Sequence, residues 1–448
     1  MADYYQNSLF TIACTSATQT TGLFNNTIET DTTQAPPLIR LPYRNSAGEK
    51  QGDFYLCPDQ GEEEKDYWEN VASSELLSRG WVFQEWALSR RIVCCTSSDV
   101  FFRCKESPLR TASGVIQPRK QWDHMPDFKL RDMFSTFHLL SKSELSLAWM
   151  TIVEAYSVLQ LTRPAQDRLV ALSGVADEFG RALAQQEEET ETATEGGRSI
   201  YVAGLWLSVV LDGLLWEKVS EEPHRQLNHI PSYSWASVYS RVRWSSSIHL
   251  DQSSGDCELI EVLYPQPENV SSIDDRSFVS GPPEYRPPRD LADSPRSSRF
   301  PVLCLRTKLQ PVLLGDQFRN RDDRDLAARL TQQVPSAGEK GWRRVASHLD
   351  REHVAGWASL EHPEFQLDSN SPGGSSHVIF ALHIARRFAR SAPGLGYKMG
   401  IHSIFNVLFV RRVETVVDGF ERIGVGALFG KDIERQFETA VQREIRLL

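Results

Sequence analysis

Apolar and polar positions change over short distances at the amino end. Leu9, Phe10, Ile12 and Ala13 form a compact run, long enough for one strand. Residues 20–37, rich in Thr, Pro and Asn, read as a loop. Residues 59–69 carry an acidic run, expected as a solvated loop or helix face. Ser73 or Ser74 can cap a helix running to about Leu88. Residues 92–96 and 100–104 then read as a strand pair around Ser97-Ser98-Asp99.

A helical middle follows. Leu145, Trp149, Ile152, Val153, Tyr156 and Leu159 recur at helical spacing. Pro164 suits the first turn of a second helix carrying Leu169, Leu172, Val175, Ala176 and Phe179. Residues 185–197, with Glu187-Glu188-Glu189, read as an exposed linker. Tyr201, Leu205, Val209 and Leu215, with Trp206 and Trp216, suggest a third, well-buried helix.

From Pro231 onward the period shifts toward two, as in Tyr233-Ser234-Trp235-Ala236-Ser237-Val238. Eight of the 23 prolines fall in residues 265–301, which predicts a long disordered insertion or surface loop. Residues 302–309, 378–384, 404–410 and 420–428 read as strands. No internal repeat is visible.

A chain of 448 residues suggests roughly two to four units. Its hydrophobic share of 40% can build a core, unlike a disordered chain. Lys and Arg number 49 against 59 Asp and Glu, a net charge of −10, which argues against nucleic acid as a partner. No apolar run reaches the ~20 residues that span a bilayer. The nearest, residues 201–211, is broken by Ser208 and stopped by Asp212. The seven cysteines are odd in number and scattered, which reads as reduced thiols of a cytoplasmic protein. The run at residues 9–14 faintly mimics a secretory segment, but Asp3 stands where a positive charge belongs.

Most candidate catalytic patterns fail on spacing. Gly424-x-Gly426 with Gly430 is wrong for a nucleotide loop and reads as glycines at a strand end and turn. His348 and His353 lie five apart, where a zinc-binding helix needs four, so no metal site is expected there. Ser173-Gly174 lacks the first glycine of a nucleophile elbow. Cys94 and Cys95, neighbours in a strand, read as one core thiol and one exposed thiol.

The sharpest segment is Arg79-Gly80-Trp81-Val82-Phe83-Gln84-Glu85. Leu77, Trp81, Gln84 and Leu88 share one helical stripe, with Gln84 in its middle and Trp81 expected in the core. A buried amide needs partners, so Gln84 is expected to bond a neighbouring loop or strand. Glu85 lies at the stripe's border. It is either a half-buried carboxylate with a raised pKa, suited to acid–base work, or an ion pair with Arg79, Arg90 or Arg91. The physics favours the structural role.

That segment, with Leu88-Ser89-Arg90-Arg91-Ile92-Val93 and Phe101-Phe102-Arg103-Cys104, resembles the end of the fungal heterokaryon-incompatibility (HET) domain. That family reads R-x-W-x-x-Q-E, then L-S-x-R, then an apolar strand and F-x-x-C. Residues 1–14 and Gly22-Leu23-Phe24 resemble an earlier family segment, M-x-x-Y-x-N-A-x-x-T-I-A-A, and the turn after it. Leu169-Val170-Ala171-Leu172-Ser173-Gly174, Tyr201-Val202-Ala203-Gly204-Leu205-Trp206, Pro231-Ser232-Tyr233-Ser234-Trp235-Ala236-Ser237 and Phe420-Glu421-Arg422-Ile423-Gly424-Val425-Gly426 are similar to downstream regions of large HET proteins. The family's leading S-Y-x-W-G strand and W-I-D-x-x-C-I-x-Q segment do not occur, so the chain resembles a HET domain lacking its first half.

The resemblance implies an α+β protein. It would hold a partial α/β HET (TIR-like) remnant over residues 1–106, a helical region with an acidic linker over 107–230, and a β-rich region over 231–448. It implies a role in fungal non-self recognition and programmed cell death through association with other proteins, with no cofactor. HET domains are distantly similar to Toll/interleukin-receptor (TIR) domains, some of which hydrolyse NAD with a W-x-x-x-E helix. Trp81 and Glu85 match that spacing, so an NAD-hydrolysing effector using Glu85 is the alternative, and an inactive remnant is a second. A carboxylate near the ribose can steady an oxocarbenium-like transition state as nicotinamide leaves.

Overall fold

The structure is a computed structural model. It describes residues 2–15, 39–56, 63–96, 99–111, 114–116, 136–189, 200–219, 225–227, 229–244, 256–265, 278–280, 300–317, 325, 327–328, 331, 342–347, 353–361, 378–390 and 401–448. Two compact units emerge, Met1–Ser135 and Thr136–Leu448, so the helical middle and the β-rich stretch share one unit. Helices and strands are mixed throughout, and the expected loop at residues 20–37 lies outside the described residues.

The first unit contains helix α1 (Ala2–Asn7), strand β1 (Thr11–Cys14), a hairpin of β2 (Ile39–Arg44) and β3 (Lys50–Leu56), helix α2 (Glu63–Asp66), helix α3 (Gly80–Leu88), and strands β4 (Arg91–Cys95), β5 (Val100–Cys104) and β6 (Ser107–Arg110). Four strands form a mixed sheet in the order β1-β4-β5-β6. β1 runs parallel to β4, and the remaining neighbours are antiparallel. Alternation buries every second residue of β4 and β5. Ala13, Ile92, Cys94, Phe101 and Leu109 form a core with Tyr67, Val71 and the partly buried Leu76, Leu77 and Trp86.

The single helix expected from Ser73 or Ser74 to Leu88 is two pieces, preceded by a third element. A wide π-helical turn (Tyr67–Ala72) leads to a 3-10 turn (Leu76–Ser78) and then α3. Ser74 Oγ donates to the Val71 carbonyl at 2.7 Å and accepts from the Leu77 N–H at 3.4 Å, so it caps the 3-10 turn and not a long helix. Arg79 is extended, at φ −88 and ψ 130, and offers no side-chain cap. Gly80, a weak helix former, follows at the break.

In the second unit, α4 (Lys142–Ser157) is the expected first middle helix. A capping box starts it: the Ser141 N–H donates to Glu144 Oε2 at 2.8 Å, while Ser141 Oγ accepts from the Glu144 N–H at 3.4 Å. Pro164 opens the short α5 (Pro164–Asp167), a 3-10 turn (Val170–Leu172) follows, and α6 (Ser173–Glu189) completes the second helical segment. The proposed linker therefore begins inside α6, and residues 190–199 lie outside the described residues.

The third helix does not form. Residues 201–215 fold as β7 (Tyr201–Val202), β8 (Leu205–Trp206), a 3-10 turn (Leu207–Val209) and a four-residue α7 (Val210–Gly213), before β9 (Trp216–Lys218). Ala203 and Gly204 both have positive φ, 48 and 94, which makes a tight hairpin turn. The Gly204 carbonyl accepts from Trp149 Nε1 at 3.1 Å and Trp235 Nε1 at 2.9 Å. A Cβ at residue 204 would lie 2.5 Å from Trp235 Nε1.

β10 (Arg225–Gln226) pairs with β11 (Val238–Tyr239), and β12 (Val242–Trp244) with β9. The alternating segment 233–238 is no half-buried strand. Every residue in it is buried, and Trp235–Ser237 form a 3-10 turn.

The carboxy-terminal half is a ten-stranded sheet containing a closed barrel. β13 (Glu258–Pro265), β14 (Phe278–Ser280), β15 (Val302–Thr307) and β22 (Arg443–Leu447) make one flank. β16 (Leu309–Gln317), β17 (Arg343–Ser347), β18 (Gly356–Leu360), β19 (Ile379–Arg390), β20 (Ile401–Arg412) and β21 (Gly419–Phe429) close on themselves through β20–β21 pairing. Closure removes the open edges of a flat sheet. Val312, Leu314, Val345, Ile379, Ala381, Phe405, Val407, Phe409 and Leu428 share one core with Ile433 and Phe437 of helix α8 (Lys431–Thr439).

The expected strands at 302–309, 378–384, 404–410 and 420–428 fall on β15, β19, β20 and β21, with residue 309 opening β16. Gly424 and Gly426 lie inside β21, not at a strand end. A Cβ at 426 would sit 2.0 Å from the Trp357 carbonyl oxygen, so glycine is required for close approach to β18. Gly430, at φ 105, makes the turn into α8. Within the Pro-rich stretch, β14 interrupts the expected loop, and residues 266–277 and 281–299 lie outside the described residues.

Candidate functional site

α3 positions the residues singled out in the sequence. Its buried residues are Gly80, Val82, Gln84 and Leu88. Gln84 is buried, as its stripe position implied. Trp81 is only half-buried, which corrects its placement in the core, and Arg79 is exposed.

Glu85 is half-buried, and its carboxylate accepts a hydrogen bond from the Tyr5 hydroxyl of α1. Burial, and then the charge of Glu85 beside it, hold the Tyr5 phenol above its ordinary pKa. Among the described residues no ion pair joins Glu85 to Arg79, Arg90 or Arg91. Ser89 Oγ donates to the Glu85 carbonyl at 2.6 Å, so Thr11 Oγ1 is the donor in its 2.7 Å contact with Ser89 Oγ. Arg91 Nη1 reaches the Leu9 carbonyl at 3.4 Å. These bonds fasten α1 and β1 to the end of α3. Trp81 and Glu85 remain one turn apart on a half-exposed flank, while Gln84 faces inward.

β1 is the rim of the sheet. It pairs with β4 on one side, and among the described residues no strand pairs with its other side. The Thr15 N–H donates to the Cys95 carbonyl, so the peptide groups of Ile12 and Cys14 point away from β4. Leu9 is 72% exposed and Ile12 52% exposed, with Phe10 also exposed. No charge lies between Ser8 and Thr15. This rim lacks the charges, prolines and bulges that ordinarily keep edge strands apart.

Several buried polar centres escaped the sequence reading. Arg103, two residues from Phe101 on the core face of β5, donates to Tyr67 Oη at 2.9 Å and lies 5.2 Å over Trp86. Arg168 is flanked by the rings of Trp235 and Tyr239, each 5.3 Å away, and donates to the Ser240 carbonyl at 2.9 Å. Burial pushes its pKa down to about 10. Arg422 stacks 3.6 Å over Trp216, pairs with Glu361 and donates to the carbonyls of Leu214 and Trp216. Burial raises Glu361 and lowers Arg422. His383 is enclosed in the barrel between Phe405 and Phe437. Alternation could have placed Arg103 inward, but nothing local marks an arginine as buried.

Cys94 is buried and Cys95 partly exposed, on opposite faces of β4. Among the described residues no group of three or more His, Cys, Asp or Glu could hold a metal ion, and His348 lies outside them. No described helix is long and apolar enough to cross a membrane. No family model, curated protein or solved structure matches the chain.

Proposed function

We propose that this chain is a cytoplasmic, fungal heterokaryon-incompatibility protein that acts by associating with other proteins. The observation that carries the reading is the rim of β1, with Leu9, Phe10 and Ile12 exposed beside peptide groups that no strand pairs with among the described residues. Such an edge accepts a further strand, giving affinity through main-chain bonds and apolar side chains. The HET resemblance of residues 79–104 supplies the biological setting, and the scattered odd-numbered cysteines supply the compartment. In this reading Glu85 is a strut between α3 and Tyr5, and the N-terminal sheet is the HET, TIR-like element.

A second reading keeps one observation in its favour: Glu85 is not locked to an arginine and stands one turn from a half-exposed Trp81. It makes the chain an NAD hydrolase. Nicotinamide release by the purified full chain separates the two. Release above the buffer rate that Glu85→Gln abolishes overturns the association reading. Turnover equal to buffer, with Glu85→Gln unchanged, removes the enzyme.

A further inference from the structure

β1 and β4 run parallel, with Cys14 directly opposite Cys95. Directly paired residues project from the same face of a sheet. Both cysteines are partly exposed, whereas Cys94 points into the core with Ile92 and Phe101. Adjacent strands lie about 4.8 Å apart. A disulfide accepts Cα separations of roughly 4.4–6.8 Å. The Thr15 N–H and Oγ1 both donate to the Cys95 carbonyl, at 3.1 and 3.2 Å, and fix the register where the two cysteines meet.

We propose that Cys14 and Cys95 form a cross-strand dithiol site that closes to a disulfide by exchange with a low-molecular-weight disulfide, oxidised glutathione being the type. Burial and the neighbouring Cys14 sulfur hold the Cys95 thiol above its ordinary pKa, and Cys14, on the rim strand, makes the first attack. The Cys14 thiolate attacks one sulfur of the disulfide, expels one glutathione thiolate and becomes a mixed disulfide. Cys95 gives its proton to solvent, attacks the Cys14 sulfur and expels the second glutathione. Two protein thiols are oxidised, and one disulfide is reduced to two thiols.

Cys104 does not compete: it opposes Arg91 at the far end of β4, roughly 13 Å along the strand from Cys95. Cys257 and Cys304 belong to the second unit, and Cys57 lies outside the described residues. The bond would close a loop of roughly eighty residues and fasten the rim strand to the sheet interior. This inference rests on strand register and not on the association reading.

The test is peptide mapping of the full chain after equilibration across ratios of reduced to oxidised glutathione, with alkylation as the quench. A cross-linked peptide pair containing Cys14 and Cys95 should accumulate at oxidising ratios and disappear on reduction. It should be absent in Cys14→Ser and Cys95→Ser and retained in Cys104→Ser. Oxidation should also raise the melting temperature of the wild type and leave that of Cys14→Ser unchanged. If a variant fails to fold, the wild-type map decides alone. Recovery of Cys14 and Cys95 only as separately alkylated or glutathionylated peptides at the most oxidising ratio, or a bond from Cys95 to Cys94 or Cys104, overturns the proposal.

Discussion

His383 should make the barrel acid-sensitive. Its ring lies 5.2 Å from Phe405 and 5.1 Å from Phe437, and it is 1% exposed. Burial pushes its pKa from 6.5 to about 4. Asp256 and the Ala385 backbone pull it upward, while Lys308 and Arg386 reinforce the depression. The unfolded chain takes up a proton in that window and the folded chain does not. Stability is therefore complete above about 6.5 and is lost as pH falls toward about 4. A shift of that size, at 1.36 kcal/mol per unit, corresponds to about 3 kcal/mol. Carboxylates titrate in the same range, so the comparison must be differential. Urea unfolding of the wild type and His383→Leu at pH 7.5, 5.5 and 4.5 isolates the imidazole. The wild type should lose about 3 kcal/mol more than His383→Leu across the window. Parallel losses in the two proteins would refute the buried, neutral histidine.

Three further outcomes follow from the geometry. Glu361→Gln leaves Arg422 charged, buried and unpaired, and should cost about 3–5 kcal/mol in chemical denaturation. Adding Arg422→Met should recover most of that loss, and an additive double variant would contradict the pair. Asp212 is pushed up to about 6 by burial, so the wild type should lose stability relative to Asp212→Asn as pH rises from about 4 to about 6. Asp212→Asn should flatten that slope and raise the melting temperature at pH 7; an unchanged slope would place Asp212 in water. Trp81→Ala should cost about 2 kcal/mol, below the 3–5 typical of a core tryptophan, because the ring is half-exposed.

What could be read from the sequence was local. Pro164 opens a helix because its missing N–H costs nothing there, and four strands announced themselves as short apolar runs. The failures came where tertiary packing overrode a repeat. Tyr201, Leu205 and Val209 satisfy a helical period, yet Ala203-Gly204 turns the chain and the residues around it are buried from both sides. β16 contains Pro311 and Gly315, and β17 begins with two arginines, so neither resembles a strand alone. β16 is a strand because residues 309–312 pair with 379–382, and β17 because it pairs with β16 and β18, registers that no window of sequence contains. The same holds for the site. Gln84 was legible as a buried amide, but the bond between Tyr5 and Glu85 joins segments eighty residues apart in the chain.

Growth arrest on expression in a filamentous fungus tests the association reading most directly, with Ile12→Lys and Glu85→Gln compared at equal protein levels. A charge on the bare rim of β1 should relieve the arrest, while Glu85→Gln should preserve it. Relief by Glu85→Gln with arrest intact in Ile12→Lys would contradict association through that rim.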